Sequence, residues 1–138
     1  MAASGVVPHL WVSGLAASVQ LYTEAFGFDV ALRYPEAGEM SWCALRLGES
    51  EIMLAAPPAQ DGPAGGPSPE FRAAVRARVG VPGACSLYIR VEDVAAHHAR
   101  AAAHGARIVD PLADRPWGQR EYTAADPDGF WLTFWQPV

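Results

Sequence analysis

Residues 12–17 read Val-Ser-Gly-Leu-Ala-Ala, and residues 91–96 read Val-Glu-Asp-Val-Ala-Ala. Each stretch closes an apolar, strand-like run and leads directly into a predicted helix. Each of these helices ends at a glycine, Gly27 or Gly105, which can adopt the left-handed conformation that stops a helix. A new strand-like run follows in both cases. The two halves of the chain therefore share one order of elements, which indicates an internal duplication.

The first half, residues 5–56, predicts one strand, one helix and three further strands. Its helix is indicated by apolar side chains at helical spacing, namely Leu15, Val19, Tyr22 and Phe26. Its strands are predicted at 6–12, 28–34, 40–47 and 51–55. Pro8 lies in the first strand, where it is tolerated best at a sheet edge or in irregular pairing.

The second half, residues 84–138, repeats this order. Its strands are predicted at 85–91, from 107, at 120–125 and at 130–135, and its helix at 94–103. The linker between the halves, residues 57–83, is rich in proline and glycine, which predicts a surface segment with little to pack. A short helix is predicted within it at 70–79, with Arg72, Arg76 and Arg78 on a solvated face.

Length and composition indicate a single domain, residues 1–138, with its own core. Hydrophobic residues make up 51% and charged residues 18% of the chain, as in globular proteins. The net charge is −5, and every basic residue is an arginine. This charge argues against nucleic acid and anionic membrane surfaces as partners. No apolar run approaches the roughly 20 residues of a membrane span.

The two cysteines, Cys43 and Cys85, lie in strand-like runs and do not have the spacing of metal ligands. We interpret both as buried free thiols. Two free thiols without a disulfide framework favour a reducing compartment, so we expect a cytoplasmic protein. The segment from Met1 to Gly5 also lacks the basic and apolar regions of a signal peptide.

Three motifs carry a resemblance to a known superfamily. They are Leu21-Tyr22-Thr23-Glu24-Ala25-Phe26-Gly27-Phe28, Trp117-Gly118-Gln119-Arg120 and Asp126-Pro127-Asp128-Gly129. The third is also a turn signal, since proline presets one torsion, aspartate bonds locally and glycine takes positive φ. Together with the element order, these motifs resemble the vicinal-oxygen-chelate superfamily over nearly the whole chain. That superfamily includes glyoxalase I, extradiol dioxygenases, and fosfomycin- and bleomycin-resistance proteins.

The resemblance implies an α+β fold in which two βαβββ modules form a half-closed cleft of mixed sheet. It also implies a homodimer, in which modules are sometimes exchanged between chains. The fold does not by itself decide the function, because it hosts several chemistries.

Metal-dependent members of the superfamily would hold a divalent ion with His, Glu or Gln on the first and last strand of each module. The corresponding positions in this chain are Val7, Met53, Ser86 and Thr133. None of the four is a good ligand for a hard or borderline divalent cation. A shift of two residues brings in only His9 and Glu51, too few for a stable centre unless another module contributes. We therefore expect no metal ion and no cofactor.

Alternation along the strands predicts which side chains face the cleft. Residues such as Leu45, Ile89 and Leu132 should pack under the helices, so their strand neighbours point the other way. The predicted cleft residues are His9, Trp11, Trp42, Arg46, Glu51, Met53, Ser86, Tyr88, Arg90, Trp131, Thr133 and Trp135, with Trp117 at the rim. Flat rings offer large stacking surfaces at low entropy cost, which favours an aromatic ligand. The alternative is that individual tryptophans fill a core or a dimer interface.

The histidines offer no obvious metal site. His97 and His98 are adjacent on the second helix and point in different directions, and His104 precedes the glycine that ends it. We interpret these three as surface histidines. His9 differs because it lies on the cleft side, and we interpret it as a hydrogen-bonded residue of the cleft wall.

Taken together, the residues and the resemblance favour a metal-free binding protein similar to the bleomycin-resistance branch. It would sequester a small molecule, with antibiotics among the candidate ligands, which requires only affinity and enough protein. Three alternatives stay open. The first is a metal-dependent lyase, isomerase or dioxygenase that uses His9 and Glu51. The second is a metal-free enzyme with one of these two as general base. The third is an interaction module whose aromatics are covered by another protein.

Overall fold

Eight strands and three helices follow one another in the order that the duplication predicts. The computed structural model describes residues 1–138. The first half contains β1 (His9–Trp11), α1 (Leu15–Glu24), β2 (Asp29–Tyr34), β3 (Trp42–Leu47) and β4 (Ser50–Ala55). The linker contains α2 (Pro69–Arg78). The second half contains β5 (Ser86–Arg90), α3 (Val94–Ala103), β6 (Arg107–Asp114), β7 (Gln119–Ala125) and β8 (Trp131–Pro137). None of the three helices is long and apolar enough to cross a membrane.

The strands form two separate four-stranded sheets. The first sheet has the order β1-β4-β3-β2 and the second the order β5-β8-β7-β6. In each sheet the first strand of the half pairs in parallel with the last, and the remaining pairs are antiparallel. The predicted α+β class and the repeated βαβββ modules of mixed sheet are therefore confirmed.

The strand β1 is shorter than the predicted run at 6–12. Pro8 has no N–H and contributes only its carbonyl, which accepts a hydrogen bond from the Met53 N–H at 2.8 Å. At the other end, the Val12 N–H donates to the Ala55 carbonyl at 2.9 Å. Regular pairing is thus limited to three residues at the edge of the first sheet, as the proline predicts.

The two halves share one core, which both α1 and α3 help to form. The first sheet contributes Cys43, Leu45, Ile52 and Leu54, and the second contributes Ile89, Tyr122, Ala124, Leu132 and Phe134. Phe26 after α1 contacts Phe134 of β8, with ring centroids 5.2 Å apart. Because side chains alternate along a strand, the opposite side of each sheet points away from this core.

The turn 126–129 ties the second half to α1. Buried Asp126 accepts hydrogen bonds from the Phe130 N–H at 2.8 Å and from the Tyr22 hydroxyl at 3.0 Å. The Asp128 carboxylate accepts from the Ser13 N–H at 3.1 Å. That N–H precedes α1, whose N-cap, Gly14, has no side chain to cap the helix. The motif is therefore more than a local turn, because its Asp128 carboxylate binds the backbone just before the first helix of the other half.

Arg72 is buried, so its predicted place on a solvated face is wrong. Only 6% of the residue is exposed, and its guanidinium donates to the carbonyls of Pro67 at 2.8 Å and Ala59 at 3.1 Å. A buried charge needs hydrogen-bond partners, and the linker carbonyls supply them. The linker therefore wraps around a side chain of α2 rather than lying loose on the surface. Arg76 and Arg78 are exposed.

Two other side chains also differ from their predicted settings. Cys43 is buried as expected, but Cys85 is exposed, because β5 begins only at Ser86 and Cys85 lies in the loop before it. His97 is half-buried instead of lying on the surface. Its ring packs 4.1 Å from the Phe134 ring and bonds to atoms of both halves. The helix α3 is thus a central element of the junction.

Candidate functional site

The predicted cleft residues lie in two groups, on the sides of the two sheets that point away from the core. Face A, on the first sheet, comprises His9, Trp11, Trp42, Arg46, Glu51 and Met53. Face B, on the second sheet, comprises Ser86, Tyr88, Arg90, Trp131, Thr133 and Trp135, with Trp117 in the turn between β6 and β7. Within one chain, no hydrogen bond, ion pair or ring contact joins face A to face B.

Face A carries several aromatic rings. Trp11 and Trp42 both pair with Ala55 of β4, which lies between them. Neighbouring strands are about 4.8 Å apart, so the two tryptophan Cα atoms are separated by roughly 10 Å across a small buried residue. The His9 ring lies against Trp11, with centroids 4.4 Å apart, and Phe71 of α2 meets Trp11 edge-on at 6.0 Å. The linker helix therefore adds an aromatic ring to this face.

The two candidate general bases of face A, Glu51 and His9, differ in their surroundings. Glu51 forms an ion pair with Arg46, whose Nε lies 3.2 Å from its carboxylate. The Nε2 of His9 is buried and has no hydrogen-bond partner. The interpretation of His9 as a hydrogen-bonded wall residue is therefore wrong in that detail, although its ring does line the face. Burial lowers the pKa of His9, so the imidazole is neutral at neutral pH.

The four positions where the resemblance implies metal ligands carry side chains that do not fit a divalent cation. Met53 pairs with His9 across the strands, and Thr133 pairs with Tyr88 at the equivalent place on face B. No three His, Cys, Asp or Glu side chains of the chain lie together in an arrangement that could hold a metal ion. Glu51 is also engaged by Arg46. Within one chain, these side chains therefore form no ligand set for a divalent ion.

Face B is open and aromatic. Tyr88 is 51% exposed, Trp131 is 52% exposed, and Trp117 is 63% exposed. The Arg90 guanidinium lies over the Trp135 ring, 5.6 Å from its centroid. A cation over an indole fixes the ring in place and leaves its other surface for contact. Several large rings exposed together on one side of a sheet are typical of a binding surface.

Beneath these rings lies a buried polar floor. Glu121 of β7 is only 6% exposed and accepts a short hydrogen bond from the Tyr88 hydroxyl. Arg115 lies on its other side, with Nε 3.8 Å from the carboxylate, and Arg115 also forms an ion pair with Asp110 at 3.0 Å. Burial and the adjacent Glu121 carboxylate raise the pKa of Tyr88, so its hydroxyl stays protonated and donates.

Two threonine hydroxyls complete the floor. Thr123 of β7 and Thr133 of β8 pair directly across the strands, and their Oγ1 atoms are 2.7 Å apart. Both residues are buried. A cavity of about 440 Å³ opens at the edge of this face, lined by residues 82–86, Gly129 and Trp131. Its volume is in the range of small-molecule sites.

Sequence reasoning missed four residues of these faces. Glu121 and Thr123 could have been found, because Tyr122 and Ala124 are apolar and alternation along β7 turns their neighbours to face B. Arg115 and Phe71 carry no such signal. Their positions depend on the β6–β7 turn and on the folded linker, which no local pattern describes.

Comparisons with known proteins find a matching family model, relatives and solved structures with the same fold. The model of the Glyoxalase/Bleomycin resistance protein/Dioxygenase superfamily matches residues 6–134. An uncharacterized protein of Mycobacterium bovis is 33% identical over 134 residues, which are 95% of this chain and 82% of the relative. The crystal structure of TioX from Micromonospora sp. ML1 is similar with a TM-score of 0.71 and 30% identity, over 98% of this chain and 97% of TioX. TnmS3, an antibiotic binding protein from Streptomyces sp. CB03234, shares the fold with a TM-score of 0.62 and 24% identity, over 100% of both chains.

Proposed function

The chain belongs to the Glyoxalase/Bleomycin resistance protein/Dioxygenase superfamily, and on that premise we propose that it binds and sequesters a planar, aromatic small molecule without a metal ion. The observation that carries the proposal is face B, where exposed tryptophan and tyrosine rings surround a buried polar floor. Rings supply the stacking area, and the few polar groups beneath them orient the ligand.

An antibiotic is the ligand class that we favour. TnmS3, which has the same fold, is described as an antibiotic binding protein. Polycyclic antibiotics are large, flat and partly polar, which matches an aromatic surface above buried hydroxyl and carboxylate groups. Binding alone would protect a cell that makes or meets such a compound, because sequestration requires only affinity and sufficient protein.

The complete site, in this proposal, requires two copies of the chain. Faces A and B point away from one core, and neither closes over a ligand by itself. A homodimer in which face A of one copy meets face B of the other would enclose a ligand between two aromatic walls. Each dimer would then have two equivalent clefts, as two-fold symmetry requires.

The experiment that tests the proposal is calorimetric titration of the purified protein with a panel of planar aromatic antibiotics, in buffer that contains EDTA. We expect micromolar or tighter binding of at least one compound. Trp131→Ala should weaken it by roughly 10-fold or more, because a half-exposed stacking ring is lost, and should lower the Tm only slightly.

Two control variants accompany Trp131→Ala. Trp131→Phe keeps an aromatic ring and should keep most of the affinity. Val30→Ala alters an exposed side chain on the core side of β2 and should change nothing. Equal losses of affinity and stability in Trp131→Ala would mean that this ring is structural. Binding that disappears in EDTA and returns with a divalent ion would favour the metal-dependent enzyme.

A further inference from the structure

The two threonine hydroxyls of face B have two hydrogens to donate but form only one hydrogen bond. Thr123 and Thr133 carry two hydroxyl hydrogens, and the structure contains one hydrogen bond for them, the contact of 2.7 Å between their oxygens. No backbone carbonyl or other side chain accepts from either hydroxyl. Whichever threonine donates to the other, the second threonine keeps a free O–H.

This free hydroxyl is buried by the protein yet lies on the ligand side of the sheet. Thr123 is 8% and Thr133 is 5% exposed. Their strand neighbours Tyr122, Ala124, Leu132 and Phe134 all point into the core, so the two hydroxyls point the other way. A buried donor without a partner costs free energy, and an acceptor placed above it recovers that cost.

Two indoles flank the pair along the same strand. Trp131 and Trp135 are two residues before and after Thr133 and share its side of β8. Two residues along a strand span roughly 7 Å, so each indole lies about that far from Thr133 along the strand. This spacing is comparable to the distance from the centre of a flat tricyclic molecule to its end. A flat tricyclic molecule can therefore contact both indoles while its middle lies over the hydroxyls.

We propose that face B recognises planar aromatic ligands that carry a carbonyl oxygen on the ring system, as quinones and aryl ketones do. The oxygen accepts a hydrogen bond from the free hydroxyl of the Thr123–Thr133 pair. This inference rests on the proposed binding function and adds the chemical class of the ligand.

The polar groups next to the pair differ from it in what they can offer. Glu121 accepts from Tyr88 and offers only further acceptor capacity. The Arg115 guanidinium is held by Asp110 and by the Pro111 carbonyl at 2.8 Å, while its buried Nε–H, 3.8 Å from Glu121, has no hydrogen-bond partner. The threonine pair is the donor that lies between the two indoles of β8, and the double valine variant separates its contribution from that of Arg115.

The test compares two probes of nearly equal shape, anthraquinone-2-sulfonate and anthracene-2-sulfonate, by calorimetric titration. Both are planar tricyclic anions, and only the first has ring carbonyls. We expect the quinone to bind more tightly to the wild-type protein by roughly 3- to 10-fold, the range of one hydrogen bond.

The decisive variant is Thr123→Val/Thr133→Val, which keeps the shape of both side chains and removes both hydroxyls. The quinone should lose its advantage, while anthracene-2-sulfonate should bind as well as before or better, since no hydroxyl is left without a partner. Thr133→Ser keeps the hydroxyl and should keep the preference for the quinone. If the double valine variant does not fold, Thr123→Ala/Thr133→Ala, which also removes both hydroxyls, decides the question in its place.

The remaining outcomes separate this inference from the proposed function. Equal binding of both probes to the wild type would overturn the carbonyl preference and leave aromatic binding intact. A preference that survives in the double valine variant would also overturn it. Binding of neither probe to the wild type would overturn both, because the exposed rings of face B should stack against at least one flat tricyclic anion.

Discussion

His97 connects the two halves of the chain through a single imidazole ring. One ring nitrogen lies 2.7 Å from the Tyr122 hydroxyl, and the other lies 2.7 Å from the carbonyl of Phe26. A neutral ring satisfies both, because its Nε2–H donates to the carbonyl and its Nδ1 accepts from the hydroxyl. In a protonated ring Nδ1 also carries a hydrogen, so the Tyr122 hydroxyl would lose its acceptor.

Burial lowers the pKa of His97 from its ordinary value of 6.5, and the nearby Arg100 charge adds to the effect. The folded protein therefore favours the neutral ring. Its stabilising contribution is complete above pH 6.5 and is lost as the pH falls from there through the folded pKa. Stability rises with pH in this range because His97 binds a proton more readily in the unfolded chain than in the folded protein.

We predict that His97→Phe will lower the free energy of unfolding most at high pH. The variant keeps a ring against Phe134 but leaves the Phe26 carbonyl and the Tyr122 hydroxyl without partners, at a cost of about 1–3 kcal/mol. Urea unfolding at pH 8 and pH 5 measures the difference from the wild type. The difference should be smaller at pH 5, because the wild type has by then lost part of the contribution. A difference that stays constant would show that His97 does not titrate in this range.

At the scale of elements, the linker is organised by one arginine of α2. Ser68 caps the helix by accepting from the Phe71 N–H, and Pro69 follows at its first turn. One turn further, Arg72 reaches back into the linker that precedes the helix. A Cβ atom at Gly62 would overlap the guanidinium, and one at Gly66 would lie 2.6 Å from it. Glycine is therefore required at these positions by close approach.

We predict that Gly62→Ala will displace Arg72 and loosen residues 59–68. The added methyl group overlaps a buried, hydrogen-bonded charge, so we expect a loss of about 1–3 kcal/mol and faster hydrogen exchange across the linker. Phe71 should also move away from Trp11, which changes the tryptophan fluorescence of face A.

Gly83→Ala is the matched control in the same linker. A Cβ atom at Gly83 meets no atom within 4 Å, and its φ is not in the left-handed region. The control should exchange at the wild-type rate. Wild-type exchange in Gly62→Ala as well would mean that the linker adapts without the Arg72 contacts.

At the scale of the whole molecule, the helices pack between the halves and leave each aromatic face open. Arg100 of α3 donates to the carbonyls of Glu24 and Thr23 at 2.8 and 3.1 Å, and Phe26 packs on Phe134. The residues between the faces are therefore core, and a ligand cannot reach both faces of one chain at once. The proposed cleft between two copies follows from this separation.

We predict that two inactive variants will restore binding when their chains are mixed. Trp42→Ala damages face A, and Trp131→Ala damages face B. If each cleft combines face A of one chain with face B of another, a mixed dimer has one cleft with both substitutions and one with neither. Random pairing of refolded chains should therefore return about one quarter of the wild-type sites in a titration.

The homodimers of each variant, refolded separately, are the controls and should stay weak. A mixture as weak as its components would contradict a cleft that is shared between face A of one chain and face B of another. The Trp131→Phe homodimer should keep most of its affinity, so mixing has no lost binding to restore. That result would show that the complementation depends on the aromatic ring at position 131.

The order of elements and the side of each strand that faces the core could be predicted from local patterns. Alternation assigns Leu45, Ile89 and Leu132 to the core, and all three are in it. The boundaries of α3 were also predicted, since Asp93 caps it and the alanine-rich run continues to its end. Such features depend on neighbours a few residues apart, which a sequence displays directly.

Local spacing predicts the duplicated βαβββ order and the alternation that separates core from outer faces, and the resemblance adds the mixed sheets. How the halves join, and which polar groups meet on the outer faces, is visible only in the folded protein. Tyr22 and Asp126 are 104 positions apart, and Tyr88 and Glu121 are 33 apart. The burial of Arg72 likewise depends on how the linker closes around it. Contacts of this kind form when distant segments are packed together, so no local spacing in the chain predicts them.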